Sequence, residues 1–186
     1  MLIRVLLIIN LMTQTQPLVH LVTDEEAKGR AKALFEQLKK STGKVPKWMR
    51  VMANCEDILI GFFTLFKATM DDAPLPGKLK WKVAYKVSEL NNCKFCVNAA
   101  EMKLKEFGLS DEDIKDLDQA SDEREKAALE YAKLATEHAY NIDPAVFAEV
   151  KKHFSDEQIV ELSSVIGLFN FINRFNDSLG VLPDVE

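Results

Sequence analysis

From Thr23 to Phe175 apolar side chains return every three or four residues, run after run, and nearly every run is bracketed by residues that start or stop a helix. No stretch after residue 23 alternates apolar and polar positions over the length of a strand. The expectation is an all-α chain, a single-domain helical bundle over residues 23–186. Thr23 and Glu26 have capping-box spacing and are expected to open a helix carrying Ala31, Leu34, Phe35 and Leu38 that stops at Gly43. Pro46 suits the first position of the next helix, where its missing N–H costs nothing. That stretch is expected to reach about Met70, with an interruption near Asn54 and with Ile58, Phe62, Leu65, Phe66 and Thr69 on one stripe.

The cluster DDAPLPG, residues 71–77, is the clearest break. Beyond it a helix from Leu79 to Leu90 is expected, with Leu79, Val83, Val87 and Leu90 on one face. The next begins at the cysteine pair and ends at Gly108, its apolar face made of Cys93, Cys96, Val97, Ala100, Leu104 and Phe107. Ser110 with Asp113, Ser121, Asp143 with Pro144, and Ser155 with Gln158 mark four further starts. The last helix, Ile159 to about Phe175, is apolar nearly all round and is expected to be central.

A chain of 186 residues buries roughly two-thirds of its unfolded surface and needs no disulfide or metal to fold. Its net charge of −5 opposes non-specific nucleic-acid binding, which depends on basic residues neutralising phosphates. Three cysteines, Cys55, Cys93 and Cys96, are too few for a secreted disulfide framework, and a close pair in a reducing compartment points to redox or metal chemistry. A cytoplasmic location is therefore expected. The apolar run MLIRVLLIINLM is shorter than a bilayer span and lacks the small-residue cleavage site of an export signal. Residues 1–22 read as an arm or leader outside the core: a strand or arm packed on the body or a partner, a stretch before an effective start at Met12, or an export signal.

Cys93 and Cys96 carry the most specific chemical signal. At i and i+3 they share a helix face. With Asn91 or Asn92 as N-cap, both sulfurs fall in the first turn, where the positive end of the helix dipole stabilises a thiolate. Such a thiolate attacks a peroxide or a disulfide, and its neighbour resolves the product. Two alternatives stand beside this: buried structural cysteines, and a zinc site, which wants four ligands where the chain offers only isolated Cys55, His20, His138 and His153. No glycine-rich phosphate loop, nucleophile elbow or paired-histidine metal motif occurs, and no cofactor is expected.

The stretch VSELNNCKFCVNAAEMKLKEFGLSDEDI, starting at Val87, resembles the carboxymuconolactone decarboxylase-like superfamily and, within it, the alkylhydroperoxidase D (peroxidase-related) branch. The shared points are Val87–Ser88, Asn91, Cys93 and Cys96 around Phe95, and the ending Gly108–Leu109–Ser110; NFINRFNDSL, starting at Asn170, is similar to the last helix of that family. The resemblance implies a helical fold assembled as trimers or hexamers, with a dimer also open. It also implies a peroxidase acting on peroxide or organic hydroperoxides with Cys96 attacking, Cys93 resolving, and an unidentified reductant. The dipole argument alone favours Cys93 as the attacking thiol.

The redox-active members carry Glu-x11-Cys-x2-Cys-x3-His. Here Trp81 stands at the Glu position and Ala100 at the His position, so the proton relay of the family is missing. Tyr85, Glu89, Glu101 and His138 are substitutes to be weighed against packing and surface roles. Lys78, Lys82 and Lys86 form a stripe that reads either as an electropositive field or as a solvated face. Two rival functions remain: a decarboxylase or lactone-handling enzyme that does not use the pair, and a non-catalytic assembly module.

Overall fold

A computed structural model describes residues 16–72, 74–119 and 122–183. Among them nine α-helices follow one another: α1 (Gly29–Thr42), α2 (Lys47–Met52), α3 (Glu56–Met70), α4 (Gly77–Leu90), α5 (Lys94–Glu106), α6 (Asp111–Lys115), α7 (Glu123–His138), α8 (Pro144–His153) and α9 (Asp156–Ser178). Short 3-10 turns occupy Leu117–Gln119 and Ala139–Asn141, and no β-strand occurs among the described residues. The chain is all-α. The run MLIRVLLIINLM and Ser121 lie outside the described residues. No described helix is long and apolar enough to cross a membrane.

The described residues divide into two compact units, one within 16–64 and 176–183 and the other within 65–175. In the first, the expected capping box forms: the Thr23 N–H donates to Glu26 Oε2 at 2.9 Å and the Glu26 N–H to Thr23 Oγ1 at 3.3 Å. The helix nevertheless begins five residues later than expected, at Gly29 with Lys28 as its N-cap. Gly29 has φ +52°, which interrupts any helix running through it, and a side chain there would meet Glu56 Oε2 at 2.5 Å. The Glu56 carboxylate takes that space, accepting from the Ala31 N–H at 3.2 Å and from Arg30 Nε at 3.1 Å. Gly43 closes α1 in the left-handed conformation, as expected, with φ 78°. Pro46 is the N-cap of α2 and not its first residue. The interruption near Asn54 is present, between α2 and α3. Trp48 and Phe62 meet edge to face at 5.4 Å, and the Arg50 guanidinium lies over Phe35 while binding Val22 O and Asp24. The Leu18 N–H donates to Leu179 O at 2.8 Å.

In the second unit α4 packs against α5 and α7, burying Leu79, Val83, Ala84 and Val87. The Ser110–Asp113 box, the Asp143 cap before Pro144 and the Ser155–Gln158 box all form where expected. The N-cap of α7 is Asp122, whose side chain accepts from the Arg124 N–H at 2.9 Å. Helix α9 buries Leu162, Val165, Ile166, Phe169 and Ile172 but leaves Val160 and Phe171 exposed, so it is one-sided and not enclosed on every face. Lys80 is fully buried and pairs with Glu161, whose other oxygen accepts the Leu75 N–H at 2.8 Å. Trp81 sits edge-on between Phe66 and Phe169, at 6.4 and 5.8 Å.

Candidate active site

The cysteines stand on a two-residue turn. Helix α4 closes with the Asn91 N–H on Val87 O at 3.1 Å and the Asn92 N–H on Glu89 O at 2.9 Å. Asn92 then takes φ 57°, the one positive φ outside glycine among the described residues, a conformation asparagine tolerates better than other side-chain-bearing residues. The Cys93 N–H donates to Ser88 O at 3.0 Å and the Val97 N–H to Cys93 O at 2.9 Å. Cys93 itself is thus the N-cap of α5, where Asn91 or Asn92 was expected. The reason is local: Asn91 is the C-cap of α4 and Asn92 makes the reversal. Cys96 follows in the first helical turn, and the two cysteines lie close together. Cys93 at the N-cap and Cys96 in the first turn both lie at the positive end of the α5 dipole.

Asn92 is a point of measurable strain. Asn92→Gly should leave thermal stability within about 0.5 kcal/mol, whereas Asn92→Val should cost about 1–2 kcal/mol, because a β-branched side chain opposes positive φ. Urea midpoints of the two variants read this directly. Equal midpoints would show that the turn relaxes to another conformation.

Beneath the turn lies a polar network that the sequence reading did not assemble. Asn91 Nδ2 donates to Asn170 Oδ1 at 3.1 Å and to Asn173 Oδ1 at 3.0 Å. Asn173 Nδ2 donates to Ser88 Oγ at 3.1 Å, and Ser88 Oγ donates to Ala84 O at 2.7 Å. Asn170 Nδ2 reaches Ile166 O at 3.0 Å and Thr136 Oγ1 at 3.3 Å, while Arg174 Nη1 donates to Asn170 O at 2.9 Å and Oδ1 at 2.6 Å. Ser88 and Asn173 are fully buried. Buried amides are tolerated only when bonded, so a satisfied set of this kind fixes one geometry for the turn. The signal was present: asparagines at 170 and 173 interrupt an apolar helix face.

Both cysteines are buried, Cys93 at 0% and Cys96 at 3% relative exposure. Ala100, at the position of the family His, is sealed at 0%, and Trp81, at the position of the Glu, is held by its two phenylalanines. Neither position offers a proton. Of the substitutes, Tyr85 is buried, and its hydroxyl is held above the ordinary value of 10.0, first by burial and then by the negative charges of Glu89 and Glu101. Tyr85 is therefore a neutral donor at physiological pH. Glu89 is exposed and accepts from Lys86 at 3.3 Å. His138 is exposed at the end of α7, its ring edge-on to Tyr140 at 6.2 Å.

Two of the three lysines in the stripe are engaged in ion pairs. Lys82 pairs with Glu125, and Lys86 with Asp118 at 2.7 Å. Burial opposes the Lys86 charge, but the hydrogen bond and charge of Asp118 outweigh it and hold the ammonium above its ordinary value. His20 bonds Glu26, His153 bonds Glu149, and Cys55 is exposed. Among the described residues no three His, Cys, Asp or Glu side chains are grouped to hold a metal ion.

No protein-family model matches the chain. It is 32% identical to the uncharacterised protein YnjA of Escherichia coli strain K12 over 115 residues, which is 59% of this chain and 63% of YnjA. The chain thus spans less than two thirds of that relative. The alkylhydroperoxidase AhpD core of a peroxidase-related protein from Ralstonia eutropha JMP134 superimposes with a TM-score of 0.82, at 19% identity, covering 92% of this chain and 94% of that one. The chain has the AhpD-like fold. A second structure with this fold is the debrominase Bmp8, solved in complex with 2,3,4-tribromopyrrole, with a TM-score of 0.78 at 21% identity over 92% of this chain and 93% of Bmp8. On the AhpD-like fold of this chain, the Cys93–Cys96 turn and the Ser88–Asn91–Asn173 network are the chemically distinctive features.

Proposed function

We propose that the protein is a thiol-dependent peroxidase whose redox pair is Cys93 and Cys96. The observation that carries this reading is the placement of the pair: two cysteines close together at the positive end of α5, on a turn tied down by Ser88 and Asn91. In the first step the Cys96 thiolate attacks one peroxide oxygen and the O–O bond breaks. The sulfur becomes a sulfenic acid, and the leaving alkoxide or hydroxide takes a proton. The Cys93 thiol then attacks that sulfur, forming the disulfide and releasing water. A dithiol reductant restores both thiols by exchange. The burial of both sulfurs restricts the first step to moments when neighbouring side chains part, which favours small hydroperoxides. A cytoplasmic setting and an assembly of identical chains belong to the same proposal.

Reduced protein treated with one equivalent of hydrogen peroxide, then labelled with a maleimide and weighed, tests the reading. The expected product carries a label on Cys55 alone and is two hydrogens lighter than the dithiol before labelling. Three labelled cysteines after excess hydrogen peroxide and excess cumene hydroperoxide would overturn it in favour of a non-catalytic assembly module, to which the Trp81 and Ala100 replacements then belong.

A further inference from the structure

Along α7 and α9, within the second unit, runs an open groove of about 560 Å³, a size suited to a small organic ligand. Apolar surface predominates in it, with Ile166, Phe171 and alanines of α7, and its polar groups are few: Thr136, the Tyr131–Ser163 hydroxyl pair at 2.9 Å, Asn170 and Arg174. Two independent observations say what fits. First, Arg174 has no ion-pair partner among the described residues; its guanidinium bonds only Asn170, through Nη1. A fixed cation at the edge of an apolar surface attracts a carboxylate, which a guanidinium binds through two parallel hydrogen bonds. Second, Gly167 lies in the middle of α9, where glycine weakens a helix relative to alanine. No atom lies within 4 Å of where its side chain would be, so the space above it is open, and Gly167 lines the groove.

We propose that this groove is a binding site for a small amphipathic carboxylate, its anionic head on Arg174 and its hydrocarbon tail over Gly167 against Ile166 and Phe171. Thr136 and Asn170 supply the polar side of the head-group site. The site is separate from the thiol chemistry and does not depend on it. It is nevertheless joined to the cysteine turn, because Asn170 Oδ1 accepts both from Arg174 and from Asn91.

The test is calorimetric titration of sodium octanoate into the full-length Cys93→Ser/Cys96→Ser chain and into the unaltered chain, so that the outcome is independent of peroxide turnover. Octanoate is expected to bind saturably at one site per chain, with octan-1-ol roughly tenfold weaker for want of the charge-assisted bonds. Arg174→Gln should reproduce that tenfold loss, and Arg174→Lys should recover part of it. Gly167→Leu should abolish binding of both probes by filling the groove while leaving the helical circular dichroism unchanged. Equal affinity for octanoate and octan-1-ol, or no binding of either to the unaltered chain, would overturn the proposal. So would the finding that Gly167→Leu breaks an assembly in sedimentation while octanoate does not bind, since the groove would then be a contact between copies.

Discussion

Glu161→Leu is expected to destabilise the protein by about 3–5 kcal/mol, the largest effect of any single substitution considered, because it leaves the Lys80 ammonium buried without its carboxylate. Lys80 is fully enclosed, and the Glu161 side chain is 11% exposed, so water does not replace the lost partner. With a typical domain stability of about 5–15 kcal/mol, such a loss brings the variant close to its unfolding threshold. The same substitution also frees the Leu75 N–H, worth about 1 kcal/mol. Lys80→Met combined with Glu161→Leu should recover most of the loss and end about 1–2 kcal/mol below the unaltered protein, since no charge is then left in the interior. Urea titrations of the single and double variants separate the two results. A single variant within about 1 kcal/mol of the unaltered protein would mean that the Lys80 ammonium reaches solvent once Glu161 is gone.

Cys96→Ser is expected to lower peroxide turnover by about a thousandfold or more, as removal of a nucleophile does elsewhere. Cys93→Ser should be equally poor in turnover yet consume one equivalent of peroxide per chain, stopping at the sulfenic acid on Cys96. A dimedone adduct on Cys96 in that variant, and none on Cys93 in Cys96→Ser, fixes the order of attack. Adducts in the opposite sense would give the nucleophilic role to Cys93, which lies nearer the positive end of α5. Undiminished turnover in both variants would remove the pair from the chemistry altogether.

The helices were legible because their signals are local. The boxes at Ser110 and Ser155, the Asp143–Pro144 start and the Gly43 stop each involve residues two to four apart, and each forms as the spacing implies. Thr23 and Glu26 show the limit of that logic: the box bonds form, but Gly29 at positive φ and the distant Glu56 decide where the helix begins. At the cysteine turn the N-cap lies just beyond Asn92, because Asn91 closes α4 and Asn92 makes the reversal at positive φ, leaving Cys93 to cap α5. What no local pattern reveals is the partner of the Asn91 side chain, the asparagines of α9. Lys80 is a different omission. It shares a face with Val83, Ala84 and Val87 on α4, and a lysine on an apolar face marks a buried pair. The stripe of Lys78, Lys82 and Lys86 is the more conspicuous pattern on the same helix, and its last two members are held by Glu125 and Asp118.

Ser88 has a consequence for biosynthesis. Its carbonyl holds the Cys93 amide, but its hydroxyl waits for Asn173, and Asn91 waits for Asn170 and Asn173, all supplied some eighty residues later in translation. The nascent chain therefore exposes both sulfurs as an unshaped dithiol for as long as the ribosome takes to deliver α9, and the poise of the surroundings during that interval acts on them before the finished turn does.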